Sequence, residues 1–383
     1  MPMNSRKWLQ VGIVAAILCQ SKSSSAGETI SPEQARRDDN GVSWYDVNLL
    51  DVEGRAWSEL KSPFDRLPAK AEGVVRDAVW GLSRHSAGMR VRFVTDADAI
   101  HAAWTLTSAR LAMPHMPATG VSGLDLYVRD DEGTWRWLAN KPPSGQSTTV
   151  QLVSGIPAGT REYALYLPLY NGVTAVEIGV PEGASLKTPP DFDEGHEQPI
   201  VFYGTSITHG ACASRPGTCH PAILGRRFER PVVNLGFSGN GRMELEVAEL
   251  MAEIDAAVYV IDCLPNIGAD DVTARTGPLV RLLREKRPET PILLVEDRTY
   301  SDAFLLVGKR RRNDTSRAAL RTEYQKLIDD GVSGLYYLEG EHLLGDDNEG
   351  TVDSSHPTDL GFMRQADAFA VVFREILGGR DAE

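Results

Sequence analysis

The segment Ile200-Val-Phe-Tyr-Gly-Thr-Ser206-Ile-Thr-His209-Gly210 decides how the chain folds. It opens on four consecutive large apolar residues and breaks at Gly-Thr-Ser, the pattern of a short strand buried on both faces that runs into a tight turn. Such a strand needs a covering layer on each side. Four more runs of the same kind follow: Val232-Val-Asn234, Ala257-Val-Tyr-Val-Ile261, Ile292-Leu-Leu-Val295 and Gly334-Leu-Tyr-Tyr-Leu338. Helical segments separate them, among them residues 243–254 and 316–329, the second with Leu320, Tyr324, Leu327 and Ile328 on one face. Strand and helix in alternation predict a parallel sheet with helices on both sides, a three-layer α/β/α unit over residues 199–383. In such a fold the loops that carry chemistry lie past the carboxyl ends of the strands.

Upstream the rhythm changes. Met89-Arg-Val-Arg-Phe-Val-Thr95, Leu124-Asp-Leu-Tyr-Val-Arg129, Thr134-Trp-Arg-Trp-Leu138 and Ala175-Val-Glu-Ile-Gly-Val180 alternate apolar and polar side chains. Period two marks half-buried antiparallel strands, and no long helix interrupts them. Because their apolar faces need a second layer, residues 40–185 are expected to form an all-β sandwich of jelly-roll type. The stretch 186–198, acidic and containing Pro189-Pro190, reads as a linker. At the N-terminus Arg6 and Lys7 precede an apolar run over residues 11–19, and a small-residue tract follows at 21–26. The run is far short of the roughly 20 residues that span a bilayer, so residues 1–26 read as a secretory signal peptide. The expected location is periplasmic or extracellular, with no integral membrane segment after signal removal. Cys19 is a poor lipid-anchor candidate because the bulky Leu18 precedes it.

The 383 residues, 42% of them hydrophobic, are enough for two domains. Lys plus Arg number 40 against 53 Asp plus Glu, a formal charge of −13 that disfavours nucleic acid or anionic lipid as partner. Four cysteines without a CxxC pair or a Cys/His cluster give no reason to expect a metal. Cys212 and Cys219 flank a short loop; an exported protein can bridge them, and two independent buried thiols fit the sequence equally well.

The strand-end rule selects four blocks: Gly204-Thr-Ser206 after the first parallel strand, Gly236-Phe-Ser-Gly239 after the second, Asp262-Cys-Leu-Pro-Asn266 after the third, and Asp353-Ser-Ser-His356-Pro357 before the last helix. Acyl transfer needs a nucleophile, a base, a group that orients the base, and donors for the oxyanion. Ser206 supplies the first and His356 the second. Asp353, three residues before the histidine, orients it, although a backbone carbonyl can do the same. The Ser206 and Gly239 N–H groups and the Asn266 amide are the expected oxyanion donors. No cofactor is implied, since a triad with fixed dipoles suffices. The surroundings of Ser206 are not the GxSxG elbow, because the glycine spacing is wrong.

Taken together, the four blocks resemble the SGNH hydrolases, the GDSL-type esterases named for a Ser, a Gly, an Asn and a His in separate blocks. Ser206, Gly239, Asn266 and His356 match in order, and Asp353 fits the Asp-x-x-His-Pro block. Gly123-Leu-Asp-Leu-Tyr127 is similar to the GxDLY signature of the β-domain that precedes one subgroup. The resemblance implies a flavodoxin-like α/β/α hydrolase domain behind a jelly-roll-like sandwich. It also implies a serine esterase acting on small acyl groups, acetyl on a saccharide foremost, as in two-domain carbohydrate acetylesterases. A lipase or thioesterase with a longer acyl pocket, and a non-catalytic carbohydrate-binding protein, are the competing readings. Two departures stand out: Thr205 replaces the family's Asp beside the nucleophile, and Leu264-Pro-Asn266-Ile267 lacks the Gly and final Asp of the third block.

His209 and Arg215, near the nucleophile, are candidate substrate contacts, though a solvated loop explains them as well. His115 in the 113–117 loop, and Tyr170 and Asn171 at the end of the 167–171 segment, are further candidates, if those segments lean over the hydrolase domain and wall its pocket. Trp135 and Trp137, two apart on a strand, are expected on one side and read as core before they read as a sugar platform.

Overall fold

All five apolar runs form strands, and their alternate residues separate into two cores. In Ile200–Gly204, Val201 and Tyr203 pack into one core while Ile200 and Phe202 pack into the other. The sheet is parallel throughout, in the order Val232–Gly236, Ile200–Gly204, Val258–Asp262, Ile292–Val295, Leu335–Leu338. By chain order that is 2-1-3-4-5, with the topological switch between the first and third strands. Helices Leu245–Met251, Ala269–Lys286 and Val307–Asp329 cover the first face through residues such as Val247, Leu279 and Leu320. Helices His220–Arg227 and Asp359–Leu377 cover the second through Ile223, Phe362, Phe369 and Phe373. The expected three-layer α/β/α domain is present. These observations come from a computed structural model that describes residues 27–378, so the expected signal peptide, Cys19 and residues 379–383 lie outside the described residues. Among the described residues no helix is long and apolar enough to cross a membrane.

The N-terminal region forms two antiparallel sheets. One runs Arg36–Arg37, Val42–Asp46, Val173–Pro181, Ala99–Leu106, Ser147–Ser154; the other runs Leu186–Lys187, Arg90–Thr95, Arg161–Tyr166, Leu124–Arg129, Trp135–Lys141, with Val52–Glu53 on Arg90–Thr95. Inward residues of both, among them Trp104, Val176 and Ile178 from the first and Phe93, Leu126 and Tyr163 from the second, share one core. The linker expected at 186–198 begins two residues too early. Leu186 and Lys187 are a strand, paired with Thr95 and Val94, because Leu186 is fully buried in the sandwich core.

The two halves are not beads on a string. Leu67, Ala71, Val75 and Val79, which lie between sandwich strands, pack into the hydrolase core beside Tyr203, Leu235 and Phe237. Met116, Val121, Tyr127, Tyr166 and Leu169 join the core on the other face. The Gly123–Tyr127 signature is part of this seam. Leu124 and Leu126 point into the sandwich, while Asp125 and Tyr127 turn outward to the 215–217 loop. Fully buried Asp125 accepts from Arg215 Nη1 at 3.0 Å and from the Gly217 N–H at 2.8 Å, and Tyr127 Oη donates to the Gly217 carbonyl at 3.3 Å. Burial pushes the Asp125 carboxyl up, against the pull of Arg215. A Cβ at Gly217 would lie 2.4 Å from Tyr127 Cε2 and 2.8 Å from Asp125 Oδ2. Gly217→Ala is therefore expected to lower stability by about 1–3 kcal/mol through overpacking, read as a fall in the thermal midpoint. An unchanged midpoint would mean that the seam is loose.

Candidate active site

Ser206 begins a four-residue helix, Ser206–His209, at the carboxyl end of the central strand. Thr205 is its N-cap and accepts from the Ile207 N–H at 3.3 Å. Here a hydroxyl satisfies an orphan donor at the helix start, a capping role that an aspartate at this position can also fill. Gly210, at φ +104°, ends the turn in a conformation suited to glycine. Gly236 and Gly241 are required by close approach. A Cβ on the first would meet the His209 backbone N at 2.2 Å, and one on the second the Gly204 carbonyl at 1.8 Å.

Ser206 Oγ, on a residue 9% exposed, lies 2.8 Å from His356 Nε2. On the other side of the ring, His356 Nδ1 donates to Asp353 Oδ2 at 2.7 Å. Asp353 Oδ1 also accepts the backbone N–H groups of Ser355 and His356 at 3.1 and 2.8 Å. Partial burial would raise the Asp353 carboxyl, but these donors and the imidazole outweigh it and hold the group below the ordinary carboxylate value. The loop is pinned from outside: the Ser301 N–H donates to the Ser354 carbonyl, Ser354 Oγ donates to Asp302, and Lys309 donates to both Ser354 Oγ and Asp302. Ser354 itself sits at φ +74°.

The expected oxyanion residues stand on the neighbouring loops. Gly239, at φ +69°, follows the edge strand; the Arg242 guanidinium holds its carbonyl, and its N–H has no partner among the described residues. Asn266 closes a 3₁₀ turn, Leu264–Asn266, and its Nδ2 donates to the Gly241 carbonyl at 3.3 Å, which ties the third block to the second. Arg312 fixes this turn by donating to the carbonyls of Leu264, Pro265 and Ile267.

The candidate substrate contacts divide. His115 is exposed, its ring centre 6.3 Å from that of His356, so the 113–117 loop comes close to His356; the Met113 and Met116 backbones pair within that loop. Tyr170 donates to the Ser206 carbonyl at 3.2 Å and stacks on His209 at 4.1 Å. His209 does not face substrate: it is fully buried, and its Nε2 lies 2.7 Å from the Leu169 carbonyl. Burial, with Arg66 and His85 nearby, pushes it well below the usual histidine range, so it is neutral. Asn171 is also buried, bonded to Thr107, Ser108 and Ser122 in the sandwich. Arg215 belongs to the domain seam, on Asp125 and Tyr127. Cys212 and Cys219 are free buried thiols, and Cys219 Sγ donates to the Pro216 carbonyl at 3.3 Å. The Trp pair is no open platform, since Trp135 is buried under Arg129 while Trp137 is 50% exposed and bonded to Asp125. Asn234, which closes the second apolar run, is a buried strand residue whose Nδ2 donates to the Thr208 carbonyl at 2.7 Å. No group of His, Cys, Asp and Glu among the described residues is arranged to hold a metal ion.

Residues 197–374 match the GDSL-like lipase/acylhydrolase family, and residues 42–186 match the GxDLY family, the N-terminus of SGNH-hydrolase-type esterases. A crystal structure from Bacteroides ovatus, described as a GDSL-like lipase, is 34% identical, covers 88% of this chain and 98% of its own, and superposes with a TM-score of 0.83. A salicylyl-acyltransferase from a tetracycline biosynthetic pathway shares the fold at 20% identity and TM-score 0.68, over 92% of this chain and 99% of its own. So does a family two carbohydrate esterase from Clostridium thermocellum, solved with cellohexaose, at 16% identity and TM-score 0.56 over 76% and 93%. No curated protein matches the sequence.

Proposed function

The chain belongs to the GDSL-like lipase/acylhydrolase family with an N-terminal GxDLY domain, and from that premise we propose that it is an exported serine esterase that removes small acyl groups, acetyl foremost, from a saccharide. The observation that carries the reading is the continuous line from Ser206 Oγ through the His356 ring to Asp353, with contacts of 2.8 and 2.7 Å. Ser206 Oγ attacks the ester carbonyl carbon while His356 Nε2 takes its proton. The carbonyl oxygen becomes an alkoxide that the Ser206 and Gly239 N–H groups and Asn266 Nδ2 receive. Collapse breaks the bond to the alcohol oxygen, which takes the proton from His356, and the acyl group stays on Ser206. Water then adds with its proton passing to His356, and the second collapse frees the acid and restores the serine. Asp353 keeps the imidazole in the tautomer both halves require and stabilises its charged form.

The saccharide assignment draws on the fold shared with a carbohydrate esterase and on the exposed rim near His115, a setting open to a bulky alcohol. The expected result is that kcat/KM on 4-nitrophenyl esters is highest for acetate and drops at least tenfold by octanoate, and that acetate is released from an acetylated glycan. Activity that rises with chain length would point to a lipase-like or thioesterase-like enzyme. Glycan affinity without turnover would point to a binding protein.

A further inference from the structure

Arg66 is 1% exposed, and no acidic side chain bonds to it among the described residues. It belongs to the N-terminal region, and its guanidinium reaches across the seam to carbonyls of the hydrolase domain. Nη1 donates to the carbonyls of Asn234 at 2.9 Å and Gly236 at 2.7 Å; Nε donates to His85 O and Nη2 to Leu82 O, and the guanidinium carbon stands 5.1 Å from the Phe237 ring centre. A buried cation held only by backbone carbonyls is costly, and the site has not relieved that cost with a carboxylate. Burial lowers the group to about 9, so it keeps its proton at neutral pH.

The place it occupies ties it to the site. Asn234 and Gly236 end the edge strand, and the next residues are Phe237-Ser238-Gly239, the loop assigned above to the oxyanion. That loop is gripped a second time at its far end by Arg76, also from the N-terminal region, which bonds the Asn240 side chain and carbonyl and pairs with Glu244. Gly88, also from the N-terminal region, presses on Asn234, with a notional Cβ 2.4 Å from that side chain's own. We propose that Arg66 is a positioning residue for the oxyanion loop, so that turnover on Ser206 depends on a guanidinium delivered by the N-terminal domain. The carbonyls it binds belong to the peptides leading into the Gly239 N–H. Fixing and polarising them orients that donor before the reaction begins, and a positive charge in a dry interior favours the alkoxide over the ground-state ester. The inference rests on the esterase reading and deepens it.

The test uses the full chain with Arg66→Met, Arg66→Lys and Arg66→Gly. Losing one oxyanion donor outright costs about 10²–10³ in turnover, so a loosened donor is expected to cost about 100-fold in kcat for Met and about tenfold for Lys, with KM within about threefold. Added guanidinium is expected to restore part of the loss in Arg66→Gly. The inhibition constant of a trifluoromethyl ketone, which forms an alkoxide on Ser206, is expected to rise in step with the fall in kcat/KM. A purely structural role would lower the active fraction and leave that constant unchanged. If Arg66→Met does not fold, Arg66→Lys decides through the same two readings. An active wild type whose folded Arg66 variants keep full kcat and an unchanged inhibition constant overturns this inference alone, whereas an inactive wild type overturns it together with the esterase reading.

Discussion

Ser206→Ala is expected to leave a folded protein whose kcat on 4-nitrophenyl acetate is lower by at least about 10⁴-fold, since nucleophilic catalysis has no substitute once the attacking oxygen is gone. The thermal midpoint is expected to stay near the wild-type value, because the hydroxyl's one side-chain bond is to His356 at the rim of the site. His356→Ala is expected to fall about as far, and Ser206→Ala/His356→Ala no further than either, because groups that act as one unit fail together. Asp353→Asn removes the acceptor that fixes the tautomer, so its loss is expected in kcat rather than KM. The pH dependence has a definite sign. Asp353 is held below its ordinary value of 3.8, so its charge is fully present above that value and is lost only as the pH falls through the lowered one. The acid limb of the rate profile above pH 4 is therefore expected to survive in shape when Asp353 is replaced by Glu. Ser206→Ala retaining more than a tenth of the wild-type rate would sink the assignment of the nucleophile.

Much of this was legible from the sequence because the decisive signals are local. Ile200-Val-Phe-Tyr203 is apolar at every position, which only a sheet covered on both faces explains, and the strand-end rule then leads to Ser206, Asn266 and His356 without any contact being known. What escaped were properties that exist only across the fold. The seven-residue helix Asp77–Ser83 is too short to declare a period, so nothing in the sequence revealed that Val75 and Val79 would pack beneath the parallel sheet rather than in the sandwich. His209 and Asn171 read as substrate contacts in the sequence because polar residues near a candidate nucleophile look alike whether solvated or buried; burial alone separates them. Arg66 sits in Phe64-Asp-Arg-Leu67 and reads as an ordinary surface arginine, since its four acceptors are carbonyls that leave no trace in side-chain type. Cys212 and Cys219 are free buried thiols, Cys219 donating to the Pro216 carbonyl, a difference between a bridge and two thiols that residue type alone does not carry.

Asp262→Asn is expected to be the most damaging single change away from the reacting atoms. Asp262 ends the third parallel strand and is fully buried, with both carboxylate oxygens paired to the Arg298 guanidinium and Oδ2 also accepting from Thr208 Oγ1 at 3.0 Å. Thr208 lies on the same short helix as Ser206, so this carboxylate anchors the Ser206 turn to the centre of the sheet. His220 Nε2 is 3.8 Å away but cannot replace the lost charge, because burial and Arg298 keep that ring neutral. Asp297, pushed up to about 6 by burial against the pull of Arg298, is the neighbouring carboxyl that can respond, and it already accepts from Asn313. Removing one partner of a buried pair while leaving the other costs about 3–5 kcal/mol, which corresponds to a fall of the order of 10 °C in the thermal midpoint. Arg298→Met is expected to destabilise to a similar extent. The double variant Asp262→Leu/Arg298→Met, which leaves no uncompensated charge, is expected to lose much less than the sum of Asp262→Leu and Arg298→Met measured singly. Its kcat is nevertheless expected to stay depressed, because Thr208 has lost its anchor, so stability and turnover separate in one protein. Additive losses in the double variant would show that the pair is hydrated, and the tie from the sheet centre to Ser206 would then have to run through Asn234 and the Thr208 carbonyl instead.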